Sequence, residues 1–213
     1  MTIDVLRYVG SVTREVQNRE HDGRPARVMV ATCAYDTTLD DVWDAIANAG
    51  RIPRWFLPIS GDLRLGGRYQ LEGNAGGTIT ACEPPRHLAL TWEFGGQVSW
   101  VRVQLQELSD GGTLLRLEHI AHVADELWNQ YGPGAVGVGW DLTLMGLGRN
   151  LSTQESNNPE QAAAWSKSEE GAEFMRQSSN EWAKASIASG TDAAAALSAA
   201  KQTLAFYTGD ARI

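Results

Sequence analysis

Residues 61–121 read GDLRLGGRYQLEGNAGGTITACEPPRHLALTWEFGGQVSWVRVQLQELSDGGTLLRLEHIA, and their alternation decides the architecture. Apolar side chains recur at every second position: Tyr69 and Leu71, Ile79 and Ala81, Leu88, Leu90 and Trp92, Val101, Val103 and Leu105, then Leu115 and Leu117, with His119 in phase. A period of two marks a strand with one buried face. Turn residues divide the runs at Gly66-Gly67, Gly73 to Gly77, Pro84-Pro85, Gly95-Gly96 and Asp110-Gly111-Gly112. Five or six short strands with no helix between them predict an antiparallel meander, and one face of that sheet needs cover.

The cover follows directly in the chain. From about Ala135 to Leu151, Val136, Trp140, Leu144, Leu147 and Leu151 recur at three- and four-residue spacing, which predicts a long helix. Upstream, Val5 to Val16 and Arg27 to Tyr35 read as two strands joined through an Asp22-Gly23 turn. After Thr37-Thr38, the acidic pair Asp40-Asp41 and the stripe Val42, Trp43, Ile46 and Ala49 predict a capped helix ended by Gly50. Pro53 and Pro58 bracket a turn or short helix that presents Trp55 and Phe56. Beyond Ser152 the chain turns polar through Glu160, with Asn157-Asn158-Pro159 as linker and helix start, and two helices are expected at 168–189 and 192–207. The fold class is therefore α+β, with a domain over 1–151 and a helical C-terminal extension over 152–213. Trp165, Phe174, Trp182 and Phe206 make the extension too apolar for a solvated leash. It is expected to pack on the domain, closing a cavity mouth, or to build a homodimer through its helices.

Composition narrows the function classes. At 213 residues, 43% hydrophobic and 21% charged, the chain has ordinary globular proportions. A net charge of −8 offers no footprint for a phosphate backbone, so nucleic acid is not an expected partner. Asp4, Arg7 and Arg14 interrupt the apolar residues of the N-terminus, and no run reaches the ~18 apolar residues of a membrane span. A cytoplasmic location is expected. Cys33 and Cys82 lack Cys-x-x-Cys spacing and read as free thiols in strands.

An ordered set of motifs then adds a resemblance: Thr38-x-x-x-Val42-Trp43, Arg54-Trp55-Phe56, Gly61-Asp62-Leu63-Arg64-x-Gly66-Gly67-Arg68-Tyr69, Gly77-Thr78, Glu83-Pro84-Pro85-Arg86-His87-Leu88, Leu90-Thr91-Trp92, Gly112-Thr113-Leu114-Leu115 and Gly139-Trp140. Over about residues 27–151 the chain resembles the bacterial Hsp90-ATPase-activator-like branch of the START-like superfamily, the polyketide cyclase and lipid-transport group. The resemblance implies a helix-grip fold of the birch-pollen-allergen type, a curved sheet around a long helix with a cavity between them. It implies no single activity and carries over no catalytic residue.

The inward face is expected to hold Tyr69, Leu71, Ile79, Leu90, Trp92, Val101, Val103, Leu117 and His119, with Trp55 and Phe56 from the turn and Trp140 and Leu144 from the long helix. An apolar cavity with a few polar handles suits a hydrophobic small molecule, bound by a carrier or sensor; the same side chains also suit a close-packed core. A second reading is a cofactor-independent cyclase, dehydratase or hydrolase using His119 with Asp141 or Tyr69, and a third is a chaperone-related interaction module. His119 reads either as a ligand-orienting imidazole or as a core histidine, whereas Asp141 and Glu93 are expected at the surface. His119-x-x-His122 falls on opposite faces of a strand, so no metal is expected, and no cofactor motif stands in a fitting context. Gly132-Pro133-Gly134-Ala135-Val136-Gly137 has the letters of a dinucleotide fingerprint but follows a meander, and no nucleophile motif is present.

Overall fold

A computed structural model describes residues 4–209. Eight strands form one sheet in the order β1-β2-β8-β7-β6-β5-β4-β3, and the α+β helix-grip class read from the sequence holds. The strands are β1 (Thr13–His21), β2 (Arg24–Tyr35), β3 (Ile59–Gly61), β4 (Arg68–Leu71), β5 (Gly76–Glu83), β6 (His87–Phe94), β7 (Gln97–Glu107) and β8 (Thr113–Ala121). Every neighbouring pair from β3 to β8 is antiparallel. The helices are α1 (Val5–Gly10), α2 (Leu39–Ala47), α3 (Asp125–Tyr131), α4 (Gly134–Thr153), α5 (Pro159–Ser166), α6 (Glu169–Ala188) and α7 (Ala193–Thr208), with a 3-10 turn at Ile52–Arg54. Two compact units divide the described chain: one takes residues 32–121 and 143–157, the other 4–31, 122–142 and 158–209.

In the first unit, the meander obeys the turn chemistry. Gly95 and Gly96 stand at φ +57° and +76°, the pair of left-handed residues a tight β6–β7 hairpin needs. The Thr38 hydroxyl accepts from the Asp41 N–H and starts α2, with Asp40 and Asp41 at its positive end. The second half of α4 lies in this unit, with Leu144, Leu147 and Leu151 buried.

The other unit corrects two readings. Val5 to Gly10 is helical, not the start of a strand: the Asp4 carboxylate accepts from the Arg7 N–H, and Val5 and Val9 lie one turn apart on a buried face. Alternation over so few residues was overridden by the cap. Asp141 is 2% exposed, not a surface carboxylate. Its Oδ2 accepts from Arg14 Nε at 2.9 Å, from Trp182 Nε1 at 3.1 Å and from the Ser178 hydroxyl. Burial pushes the Asp141 carboxyl up from its ordinary value, against the pull of Arg14 and the two hydrogen bonds.

The C-terminal helices start and stop within a residue or two of the sequence expectation. Ser168 caps α6 by accepting from the Gly171 N–H, and Asp192 caps α7 by accepting from the Ala195 N–H. Phe174 and Trp182 are buried, and α6 packs on β1 and α1 of the same chain. The Trp182 ring occupies the space an added Cβ at Gly137 would need, so that helical glycine is a packing requirement. Ala183, Ala196 and Ala200 bring α6 and α7 together through small side chains.

Because removing one partner strands a buried charge, Asp141→Ala is expected to lower unfolding stability by about 3–5 kcal/mol in urea titration. The paired change Arg14→Met with Asp141→Leu should recover most of that loss, since it leaves no buried charge uncompensated.

Candidate functional site

The register of the meander builds one continuous apolar face within the first unit. Ile79 pairs with Leu90, Leu90 with Val101 and Val101 with His119, a row crossing β5, β6, β7 and β8. The neighbouring row runs Cys82, Leu88, Val103 and Leu117, and Trp92 pairs with Ser99 on the other side. Laterally paired residues share a face, and the intervening positions, Arg102 opposite Ala89 and Glu118, point the other way. Glu93 also leaves this face: it pairs with Arg68 at 2.9 Å, and that bond, with one from Thr91, holds its carboxyl below the ordinary range.

At the β3–β5 end, Ile52, Tyr69, Leu71 and Ile79 form a buried cluster. Trp55, Phe56, Leu88, Leu90 and Trp92 pack around it but stay half-buried. Trp55 and Phe56 stack with ring centres 5.6 Å apart, and the Trp55 indole N–H donates to the Ala45 carbonyl at 2.9 Å. Their turn is tied down by Arg54, whose guanidinium donates to the Gln154 carbonyl and to the Ser156 hydroxyl. Gly146 of α4 lies against the Trp55 carbonyl so closely that a Cβ there would collide with it. Two residues earlier on α4, the Tyr35 hydroxyl donates to the Leu144 carbonyl at 3.2 Å. Trp140, one turn earlier on α4, is buried and belongs to the other unit.

Three polar side chains stand on the apolar face. His119 is 4% exposed, its Nε2 lies 3.0 Å from the Ser99 hydroxyl, and the Trp92 ring meets it edge-on at 6.4 Å between centres. The Ser99 hydroxyl also lies 3.2 Å from the Trp92 carbonyl, to which it can donate. Burial lowers the His119 pKa to about 4, so the ring is neutral at pH 7. The Tyr69 hydroxyl donates to the Thr91 carbonyl at 2.8 Å, and burial raises its pKa well above that of a free phenol. Sequence reasoning singled out His119 and missed Ser99, although the phase of Val101 and Val103 places Ser99 on their face. His122 follows β8, where its Nδ1 lies 2.9 Å from the Pro25 carbonyl within the other unit. Among the described residues no group of three or more His, Cys, Asp or Glu side chains is arranged to hold a metal ion, and no helix is long and apolar enough to cross a membrane.

Residues 36–152 match the family model described as activator of Hsp90 ATPase homolog 1-like protein. Among solved structures, the chain is similar to CalU16 from Micromonospora echinospora. The CalU16 crystal structure is 36% identical with a TM-score of 0.62, over 82% of this chain and 97% of that one. Its solution structure is 35% identical with a TM-score of 0.68, over 84% and 97%. A conserved protein of unknown function from Enterococcus faecalis, EF2215, shares the fold at 16% identity, with a TM-score of 0.60 over 88% of this chain and 96% of that one. No curated protein matches the chain.

The state of His119 makes stability depend on pH. In the unfolded chain an imidazole takes up a proton near 6.5, whereas the folded His119 resists until about 4. Stability is therefore complete above 6.5 and is lost as the pH falls towards 4, by up to about 3 kcal/mol. Urea midpoints measured across that window should fall more steeply for the native protein than for His119→Asn, whose side chain does not titrate.

Proposed function

Because the chain belongs to the activator of Hsp90 ATPase homolog 1-like family, we propose that it binds a hydrophobic small molecule on the apolar face that β4 to β8 present, beside the second half of α4, as a cytoplasmic carrier or sensor. The observation that carries this reading is the ring of large side chains left half-buried around a fully buried cluster. Trp55, Phe56, Leu88, Leu90 and Trp92 surround Ile52, Tyr69, Leu71 and Ile79 while keeping surface of their own. In a close-packed interior such side chains would be covered, and apolar surface left next to a core is where an apolar ligand gains most.

The same groups suit proton transfer less well. An imidazole that titrates near 4 is a weak base at neutral pH, and the Tyr69 hydroxyl is engaged by the Thr91 carbonyl. Asp141, the other acid considered with His119, is engaged by Arg14, Ser178 and Trp182 in its own unit. A role for the C-terminal helices as a docking module loses Phe174 and Trp182, which are buried within their own unit, and keeps Phe206, which is exposed.

Native mass spectrometry of the protein purified from its own host, followed by denaturing extraction, is expected to reveal a stoichiometric hydrophobe. Trp92→Ala should retain it roughly tenfold more weakly, as expected for removing a large aromatic contact. A protein that carries no hydrophobe and takes up no Nile red would overturn the reading.

A further inference from the structure

The apolar face has a polar centre, and its electrostatics restrict what can sit there. The cross-strand rows place Ile79, Leu90 and Val101 in line with His119, Val101 directly beside it, and Leu88, Val103 and Leu117 in the neighbouring row. Arg102 and Glu118 are opposite one another on the reverse face, as are Gln104 and Arg116. Arg68, near the sheet edge, is paired with Glu93. No charged residue occupies the two rows or the Trp92–Ser99 pair. The Ser99 hydroxyl is half-buried and lies between His119 Nε2 at 3.0 Å and the Trp92 carbonyl at 3.2 Å.

That hydroxyl can turn. With the neutral ring in the tautomer that carries its proton on Nε2, the hydroxyl that donates to the Trp92 carbonyl accepts from that N–H, and a lone pair remains for a ligand O–H. When it turns its proton towards a ligand carbonyl, it still accepts from Nε2. It thus serves a ligand donor or acceptor equally. A carboxylate would meet no cation on these rows, because burial keeps the His119 ring neutral, and a buried unpaired charge is strongly disfavoured. An ammonium would meet no carboxylate there either.

We infer that Ser99, held by His119, is the polar anchor of this face and selects a ligand whose buried polar group is uncharged: an aromatic or polycyclic alcohol, phenol or ketone rather than an acid or an amine. This rests on the binding proposed above and adds the class of ligand. The stacked Trp55–Phe56 pair and the Trp92 ring among the half-buried side chains favour a flat ring system.

The test uses calorimetric titration of the full chain at pH 7 with naphthalene, 2-naphthol and 2-naphthoate, probes of one shape that differ in the polar group. Naphthol is expected to bind about tenfold tighter than naphthalene, the worth of one hydrogen bond made in an apolar site, and at least tenfold tighter than naphthoate. In Ser99→Ala the advantage of naphthol over naphthalene should vanish while naphthalene affinity stays as in the native protein, an effect on the ratio that a purely structural role would not produce. Naphthoate binding as tightly as naphthol overturns the selection, as does a naphthol advantage that survives in Ser99→Ala; in both cases binding of naphthalene leaves the ligand-binding reading standing. If none of the three binds, the binding reading falls and the selection with it. The comparison of naphthol with naphthoate needs only the native protein, so it decides the question even if the variant does not fold.

Discussion

A carboxylate taken wholly out of water is the constraint around which one of the two units is organised. Asp141 sits on α4, and its Oδ2 is reached by Arg14 from β1 and by Ser178 and Trp182 from α6. Arg14 in turn gives its Nη1 to the carbonyls of Val9 and Val12, at the end of α1 and the approach to β1. Desolvating such a pair costs several kcal/mol per ion, and the attraction offsets it only where the remaining donors and acceptors are largely satisfied. The pair is therefore weak evidence for stability, but it ties together four elements, α1, β1, α4 and α6, and any one missing leaves a charge or a buried donor in an apolar interior. Gly137, one turn before Asp141 on α4, adds a steric version of the same requirement, because only a bare backbone admits the Trp182 ring.

In the other unit the constraint is parity. Every residue of the β5–β8 rows keeps its face through the register, and a slip of one residue on β7 would turn Arg102 inwards and Val101 outwards. The Gly95-Gly96 hairpin holds the β6–β7 register by fixing the turn at two residues. The irregularity between Ile79 and Ala81 in β5 shifts the pairing locally, so that Cys82 rather than Ala81 stands opposite Leu88.

What the sequence made legible follows from the range of the forces involved. Alternation and turn residues are local, so the meander and its hairpins could be read from the sequence, except in β5, where the irregularity puts Cys82 in the place alternation gave Ala81; the starts of α2, α6 and α7 could be placed to within a residue or two. α1 was not legible because six residues with Val5, Leu6 and Val9 fit a strand as easily as a helix, and the deciding cap at Asp4 is a single side chain. α3 escaped for the same reason: its one buried side chain, Trp128, sets up no periodicity. Asp141 was misread because a lone acid on a helix normally faces water, and its three partners lie 127, 37 and 41 residues away. No local pattern carries that information.

His119 shows how burial can reverse what a residue type suggests. A histidine on a strand face invites a role in moving protons near neutral pH, because a free imidazole titrates there. Buried beside Val101 and the Trp92 ring, the same imidazole loses its charged form, and with it most of its basicity. What remains is a fixed polar ring hydrogen-bonded to a neighbour, and its chemical consequence passes to Ser99, the smaller and more accessible group. The residue that looked catalytic is thus a neutral ring bonded to the Ser99 hydroxyl, and the face gains polarity without gaining charge.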